Sequence, residues 1–543
     1  MLSWRDVRER ARAMASGLLA AGVRPGECVC IVVPTEPVFA DLFFGCLLAG
    51  AVPVPLYPPV RLGRLEEYFE RTAGMVVGCG AVAIVANGRV LRVLGQVLDR
   101  VRPRCGLLDS GGLAAEPLAE ASLHTGTADE LAMVQFSSGT TVAPKPVALT
   151  HAQVLANSRA ILDMLVDRFP EADGHAHCGV SWLPLYHDMG LIGCILPALD
   201  HPSHITLIPP EAFLARPALW LRALSTYGGT IAPAPDFAYA LCVERIKDSE
   251  LDGVDLSRWV AALDGAEPIA PANLRAFAAR FAPWGLRESA ITPVYGLSEA
   301  SLAVTFAGMS EPWRAVRVDG AALARGRALV VEEGGVELAR LGPPLPGFEI
   351  QIRSAEGMVL PEQTVGRLHV RGPSVMAGYL DRQVQPIVDG WLDTGDLGFV
   401  FEGELVITGR AKDVIVLRGR NHAPQDLERA VDEVEGVRTG CAVAVGRVSE
   451  LGEQVLLFVE VRVPREGMAK DCLEAVQGAT GLRPDLVQLL EPGTLPRTSS
   501  GKLRRAEALR RWEADALTPP ESVTPLRLAG AMARSALARW RHG

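Results

Sequence analysis

The stretch Leu131-Ala-Met-Val-Gln-Phe-Ser-Ser-Gly-Thr-Thr-Val-Ala-Pro-Lys-Pro-Val-Ala-Leu-Thr-His151 carries residue types that suit a bound anion. An apolar, strand-like run from Leu131 to Phe136 empties into Ser137, Ser138, Gly139, Thr140 and Thr141. Lys145 follows, and a second β-like run from Val147 to Thr150 leads away. Hydroxyl donors and backbone N–H groups on one loop can converge on a polyphosphate. Lys145 adds a mobile point charge for the outer phosphates. Taken alone, the pattern fits an ordinary polar hairpin loop about as well. It is not a Walker loop, because Lys145 is followed by Pro146 and a strand rather than by Ser or Thr and a helix.

The loop resembles the nucleotide loop of the adenylate-forming superfamily, which includes acyl-CoA synthetases, luciferases and nonribosomal adenylation domains. The usual version reads Ser-Ser-Gly-Thr-Thr-Gly-x-Pro-Lys-Gly, and this chain departs from it at Val142 and Pro146. Valine is costly where φ must be positive, and Pro146 removes one N–H.

Further stretches match the same superfamily in family order. Asp389-Gly-Trp-Leu-Asp-Thr-Gly-Asp-Leu-Gly398 is followed by Thr408-Gly-Arg-Ala-Lys-Asp413. The resemblance implies that Asp396 holds the ribose hydroxyls, a task that suits a carboxylate accepting from two vicinal O–H groups. It places Arg410 beside Asp396 or at the interdomain joint, and Lys412 at the hinge. Tyr295-Gly-Leu-Ser-Glu299 implies Tyr295 and Gly296 against adenine and Glu299 as a Mg²⁺ ligand, with Thr141 as a second metal-site and catalytic residue. Asp264-Gly-Ala-Glu-Pro268 implies a backbone segment, Gly265, Ala266 and Glu267, that meets the adenine. Trp182-Leu-Pro-Leu-Tyr-His-Asp-Met-Gly190 resembles the fatty acyl-AMP ligase branch, which puts His187 near the reacting carboxylate as a catalytic candidate; a lone histidine is more often a structural hydrogen-bonding residue. Gly493-Thr-Leu-Pro-Arg-Thr-Ser-Ser-Gly-Lys-Leu-Arg-Arg505 implies that Lys502 reaches the reaction centre and stabilises charge there without proton transfer.

Elements of a layered α/β chain must hold these residues. Apolar runs at Cys28–Val33, Val52–Leu56 and Val82–Val85 predict buried strands, with helices at Glu36–Leu48, Leu65–Val77 and Val90–Val101 between them. Residues 3–22 predict an amphipathic helix opening at Ser3. After the loop, a helix is expected over His151–Val166, strands over Gly179–Leu183, Ile205–Ile208 and Gly229–Ala232, and helices over Pro217–Ser225 and Phe237–Ile246. From about residue 313 the texture turns to short β-like runs such as Arg327–Glu332, Glu349–Ile352 and Gly366–Val370. A second compact α/β set follows Gly409-Arg410, with its own strands and helices at Val414–Leu417, Pro424–Val434, Cys441–Val445, Val455–Val461 and Ala469–Gly478. The expected division is a large N-terminal adenylation domain over 1–409, with a β-rich subdomain at about 313–409. A small mobile α/β domain over 410–543 ends in a basic tail.

The 543 residues carry a net charge of −9, which argues against general nucleic-acid binding. Ten scattered cysteines without a Cys-x-x-Cys pair predict a reducing, cytoplasmic setting and no disulfide framework, and no stretch looks like a signal peptide or membrane span. The paired histidines His175/His177 and His201/His204 are expected to sit in polar loops rather than on zinc. Residues 503–543 hold eight arginines against four acids, with Arg527, Arg534 and Arg541 seven apart. A solvated helix face is the expectation there, and a docking surface for an acidic partner such as an acyl carrier protein is the sharper one.

The resemblance implies ATP and Mg²⁺ as cofactors and conversion of a carboxylic acid, by analogy a fatty acid, to acyl-AMP and pyrophosphate in lipid or polyketide biosynthesis. A phosphopantetheine thiol of a carrier protein is the expected acceptor. Coenzyme A stays open, because the segment between Tyr379 and Trp391 is short where fatty acyl-AMP ligases commonly carry extra residues. The chain also begins where relatives are well into their first domain. Two other classes stay open as well: a degenerate nucleotide-binding scaffold, suggested by Val142 and Pro146, and a hydrolase in which Gly296-Leu-Ser-Glu-Ala300 would mimic a nucleophile elbow at Ser298.

Overall fold

The structure is a computed structural model that describes residues 1–59, 62–137, 144–166, 177–308, 311–381, 386–417, 420–449, 452–498, 501–520 and 524–542. The first helix, Trp4–Ala20, opens on a capping box. Ser3 Oγ accepts from the Asp6 N–H at 3.1 Å, and the Ser3 N–H donates to the Asp6 carboxylate at 2.8 Å. Its inward face, including Ala11, Met14 and Leu18, is buried.

Behind it lies a parallel four-stranded sheet in the order Val52–Pro55, Cys28–Val32, Ala83–Ala86, Leu107–Asp109. The strand Cys28–Val32 is buried along its whole length, which explains its unbroken apolar run. Cys28 and Cys30 pack in one apolar cluster on the same side, with Cys30 Sγ 3.8 Å from Cys79 Sγ, and all ten cysteines are free thiols.

The second sheet has six strands in the order Ala303–Phe306, Ile291–Gly296, Ala261–Asp264, Ile231–Ala234, Cys178–Ser181, His204–Leu207. Only the first pairing is antiparallel. Ligands of such sheets sit at the carboxyl ends of parallel strands. Here those ends lead into Tyr186-His187-Asp188, Pro235-Asp236, Gly265-Ala266-Glu267 and Tyr295 to Glu299. Leu131–Phe136 and Pro146–Thr150 form an antiparallel pair, as the runs flanking the loop predict.

The β-rich region is an antiparallel sheet built on Glu349–Arg353, Gly366–Arg371, Trp391–Phe401 and Glu404–Arg410. The expected strand at Arg327–Glu332 is not one: it makes only isolated bridges, Val318 with Val330 and Arg327 with Thr364. Gly326, Gly334 and Gly335 bracket it in left-handed backbone, so the chain turns too soon for a ladder to extend. Beyond Arg410, Ile415, Leu427, Val431, Leu457 and Val476 share a separate apolar cluster around the strands Val437–Ser449 and Gly452–Val461.

The tail helix, Pro525–His542, packs on residues 91–99 of the first α/β layer. Its contact also explains why the expected helix Val90–Val101 breaks into an α-helix Gly88–Leu94 and a 3₁₀ turn Gly95–Asp99. The Gly95 N–H donates to Ser535 Oγ at 2.8 Å, and Ser535 Oγ donates to the Leu91 carbonyl at 3.1 Å. A serine from the far end of the chain thus occupies the i to i−4 bond that would have continued the helix. A Cβ at Gly95 would lie 2.3 Å from the Ser535 carbonyl oxygen, so only glycine admits this approach. All three arginines of the stripe stay exposed, and Arg534 also donates to Gln96 Oε1 at 3.3 Å. Gly95→Val is expected to displace the helix, and Ser535→Ala to loosen it by about 1 kcal/mol. Amide exchange of residues 91–99 and 525–542 checks this: both segments should exchange faster in Gly95→Val, and unchanged protection would refute the contact.

Candidate active site

The strand ends gather the titratable groups. Asp396, on Trp391–Phe401, is 6 % exposed and held from two sides. Tyr295 Oη donates to its Oδ2 at 2.7 Å, and Arg410 Nε lies 3.0 Å from its Oδ1. Asp396 and Arg410 face each other across neighbouring strands, so the β-ladder itself fixes the pair. Arg410 also acts on Glu299 and on Lys502.

Glu299 follows Ile291–Gly296. Burial pushes its carboxyl up, opposed by its own backbone, by the Tyr379 hydroxyl and by Arg410. Tyr379 Oη donates to Glu299 Oε1 at 2.9 Å, and Lys145 Nζ stands 4.7 Å from the centre of the Tyr379 ring. The lysine at the loop's far end is therefore linked to the candidate metal ligand through one tyrosine.

Asp188 is buried and triply bonded. Its Oδ1 accepts from the Met189 N–H at 2.7 Å and lies 2.6 Å from His187 Nδ1, and its Oδ2 accepts from Ser298 Oγ. Burial opposes its charge. His187, the Ser298 hydroxyl and Lys502 outweigh that and hold the carboxyl well below the usual carboxylate range. This geometry disposes of the nucleophile elbow. The acid stands between the serine hydroxyl and the imidazole, so His187 cannot take the hydroxyl proton as a triad base does.

Lys502 closes the site from the C-terminal side. It sits on a turn in which the Thr498 N–H donates to the Lys502 carbonyl at 2.8 Å and the Lys502 N–H donates to Thr498 Oγ1 at 3.0 Å. Burial and Arg410 pull its ammonium below the usual lysine range, while Asp188, Glu267 and Asp396 pull it back up. Five groups remote in sequence therefore share one electrostatic neighbourhood.

The backbone of Gly265, Ala266 and Glu267 has the tightness expected of a ligand-facing strand end. A Cβ on Gly265 would lie 2.9 Å from the Val294 carbonyl oxygen, and Ala266 is held at φ +70°. Glu267 Oε1 accepts from the Phe237 N–H at 2.7 Å. Gly296 is required too: a Cβ there would meet the Leu302 carbonyl oxygen at 1.8 Å. Of the loop, Ser137 and Lys145 are in place, with the Ser137 N–H donating to the Lys145 carbonyl at 2.9 Å. Ser138, Gly139, Thr140, Thr141 and Val142 lie outside the described residues, as does His175. His177 is buried beside Thr230, and no cluster of three metal-ligating side chains occurs among the described residues.

Asp188 and Tyr379 lie in stretches that carry no assigned role for them in the sequence, and Asp236 has no mark there at all. For Asp188 the available signal was its place beside His187 in a polar step between apolar residues. Nothing local marks Tyr379.

The family model described as AMP-binding enzyme matches residues 1–380. The chain belongs to the AMP-binding enzyme family. The long-chain-fatty-acid–AMP ligase of Mycobacterium bovis is 33% identical to this AMP-binding enzyme over 95% of the chain and 92% of its own length. A Caulobacter vibrioides protein that bears the provisional name acyl-CoA synthetase is 37% identical over 93% of this chain and 89% of its own. A structure from work on fatty acyl-adenylate ligases of E. coli and L. pneumophila superposes with a TM-score of 0.88 at 33% identity, covering 95% of this chain and 94% of that one. The enzyme thus has the adenylate-forming fold.

Just before Gly265, Asp264 is fully buried, and neither of its oxygens accepts from a described N–H or O–H group. Its neighbour is the Asp236 carboxyl, which accepts from Asn273 Nδ2 at 2.6 Å and from the Ala270 N–H at 3.2 Å. Two acids so placed are satisfied by sharing a proton. Burial, then the nearby Glu267 charge, push Asp236 up to about 7 from an ordinary 3.8. The folded chain therefore keeps a proton that the unfolded chain releases. That stability is complete below the ordinary value of 3.8 and is lost as pH rises through about 7. Asp264→Asn, with one charge removed, should show a flatter fall of the melting temperature between about pH 4 and about pH 8. Identical pH profiles for the variant and the unaltered chain would show that no proton is shared.

Proposed function

We propose that this enzyme activates a fatty acid with ATP and passes the acyl group to the phosphopantetheine thiol of a carrier protein. The convergence of Asp396, Arg410, Glu299, Asp188 and Lys502 on one site supports this best, because each suits a different part of a nucleotide and its reacting acid. Asp396 would accept from the ribose hydroxyls, with Tyr295 and the 265–267 backbone against the adenine. Ser137 and Lys145, at the two ends of the hydroxyl-rich loop, would steady the outer phosphates.

The acid's carboxylate oxygen attacks the α-phosphorus, the bond to the bridging oxygen breaks, and pyrophosphate leaves with its electron pair. Negative charge builds between carboxylate and α-phosphate, where the Lys502 ammonium lowers its energy without giving up a proton. Asp188 supports the lysine's charge and keeps His187 oriented, which makes it a positioning residue. Glu299 offers hard oxygens beside a phosphate site. That donor set fits Mg²⁺, which takes most of its ligands from phosphate and water rather than from a protein cage. When bound, the ion would neutralise phosphate charge.

The relatives named as fatty-acid–AMP and fatty acyl-adenylate ligases support the acid class. Coenzyme A is the second reading for the acceptor, favoured by the short segment between Tyr379 and Trp391 and by the Caulobacter relative's name. Asp389 and Gly390 turn through positive φ just before Trp391, and the basic segment from Thr408 to Lys412 is the proposed hinge between domains 1–409 and 410–543. Among the described residues, no helix is long and apolar enough to cross a membrane.

Lys502→Ala should slow adenylate formation by about a hundred- to a thousandfold. Thiol transfer from supplied acyl-AMP should be largely spared. Hydroxamate trapping of the first step and thioester formation in the second read the two separately, and equal loss of both would refute the role of Lys502.

A further inference from the structure

The tail helix Pro525–His542 turns a face to solvent that nothing in adenylation uses. Ala531, Ser535 and Ala538 are its buried side, against residues 91–99. At 3.6 residues per turn, Leu526, Ala529, Ala533, Ala536, Leu537 and Trp540 fall on the opposite side. All six are exposed, Leu526 to 86 % and Trp540 to 82 %. The outermost strip of the helix is therefore apolar along its length, rather than the basic face expected of the tail.

The arginines lie on the two flanks of that strip. Arg534 and Arg541 border it on one side and Arg539 on the other. The helix holds four arginines and no carboxylate, in a chain whose net charge is −9, so the positive charge is local. Arg89 and Arg92 add to it from the exposed side of Gly88–Leu94, the helix on which the tail packs. A second copy of the helix would bring four more arginines and no acid to answer them. A protein partner would meet one indole N–H as the strip's only side-chain hydrogen-bonding group, where protein interfaces carry about one hydrogen bond per 100–200 Å². A lipid surface has the matching order in depth. Leucine and tryptophan meet hydrocarbon at the centre, and arginines on the flanks extend their stems outward to anionic phosphates.

We propose that Pro525–His542 is an interfacial helix that seats the enzyme on an anionic lipid surface. Leu526, Leu537 and Trp540 enter the boundary between headgroups and acyl chains, and Arg534, Arg539 and Arg541 pair with lipid phosphates. The helix lies along the surface without crossing it. Its packing on residues 91–99 already holds it in place, so presenting the strip requires no folding on contact. The surface stands apart from the adenylation chemistry, and a fatty acid as substrate would give it a use, because such acids collect in membranes.

The test is co-sedimentation of the full chain with vesicles of phosphatidylcholine alone and of phosphatidylcholine mixed with phosphatidylglycerol. The unaltered chain should prefer the mixed vesicles and bind them less tightly as salt is raised. Leu537→Ala combined with Trp540→Ala should weaken that binding about tenfold or more. Arg541→Glu should weaken it about tenfold and reduce the preference for anionic lipid. Amide exchange over residues 525–542 should stay slow in both variants, which shows the helix still docked, and acid-dependent ATP–pyrophosphate exchange without vesicles should be unaltered. Failure to bind the mixed vesicles, or binding that both variants leave unchanged, overturns the proposal. So does a loss of self-association or of carrier-protein affinity in these variants with vesicle binding intact, which would give the face to a protein.

Discussion

Three carboxylates, Asp188 and Glu267 after strands of the central sheet and Asp396 within Trp391–Phe401 of the β-rich sheet, are held away from bulk water, and Arg410 and Lys502 bring positive charge to them. Buried charges of one sign are tolerated only when paired or bonded. Much of the architecture follows from that need. The antiparallel pairing of Trp391–Phe401 with Glu404–Arg410 sets Arg410 opposite Asp396. The Thr498–Lys502 turn brings an ammonium from the far end of the sequence. Removing any one of these groups would leave another without compensation, so the site acts as a unit rather than as separate contacts.

The same dependence links folding to catalysis. The inner parallel strands of the central sheet, such as Ala261–Asp264, are buried, so their carboxyl ends are set by apolar packing around residues such as Trp220, Tyr239 and Phe277. The backbone is tight in the short segments at and after those ends: Ala266 at positive φ, Gly265 against Val294, Gly296 against Leu302. The tail helix adds a tie of a different sort. It fastens residues 525–542 to the first α/β layer by way of Ser535, so the segment joining Lys502 to that helix must accommodate any movement of the turn.

Most strands and helices were legible in the sequence because their apolar periodicity is strong and their ends are marked by Ser3, Gly22 or Pro37. The failures were long-range. The break at Gly95 depends on a serine from residue 535, and no local propensity carries that information. The strand expected at Arg327–Glu332 failed because bracketing glycines outweighed a short β-like run. Asp396, Glu299 and Lys502 stand in motifs whose resemblance singled them out as candidates. Asp188 and Tyr379 carried no such mark, because their partners, Ser298 and Glu299, are brought near only by the fold.

The most direct measurement of the central claim is a crystal structure of the enzyme with a non-hydrolysable acyl-adenylate analogue. The account predicts both ribose hydroxyls on the Asp396 carboxylate and Lys502 Nζ within hydrogen-bonding distance of the atoms that replace the phosphate and acyl carbonyl. A ribose bound away from Asp396, or a lysine turned to solvent while the analogue occupies the site, would contradict it.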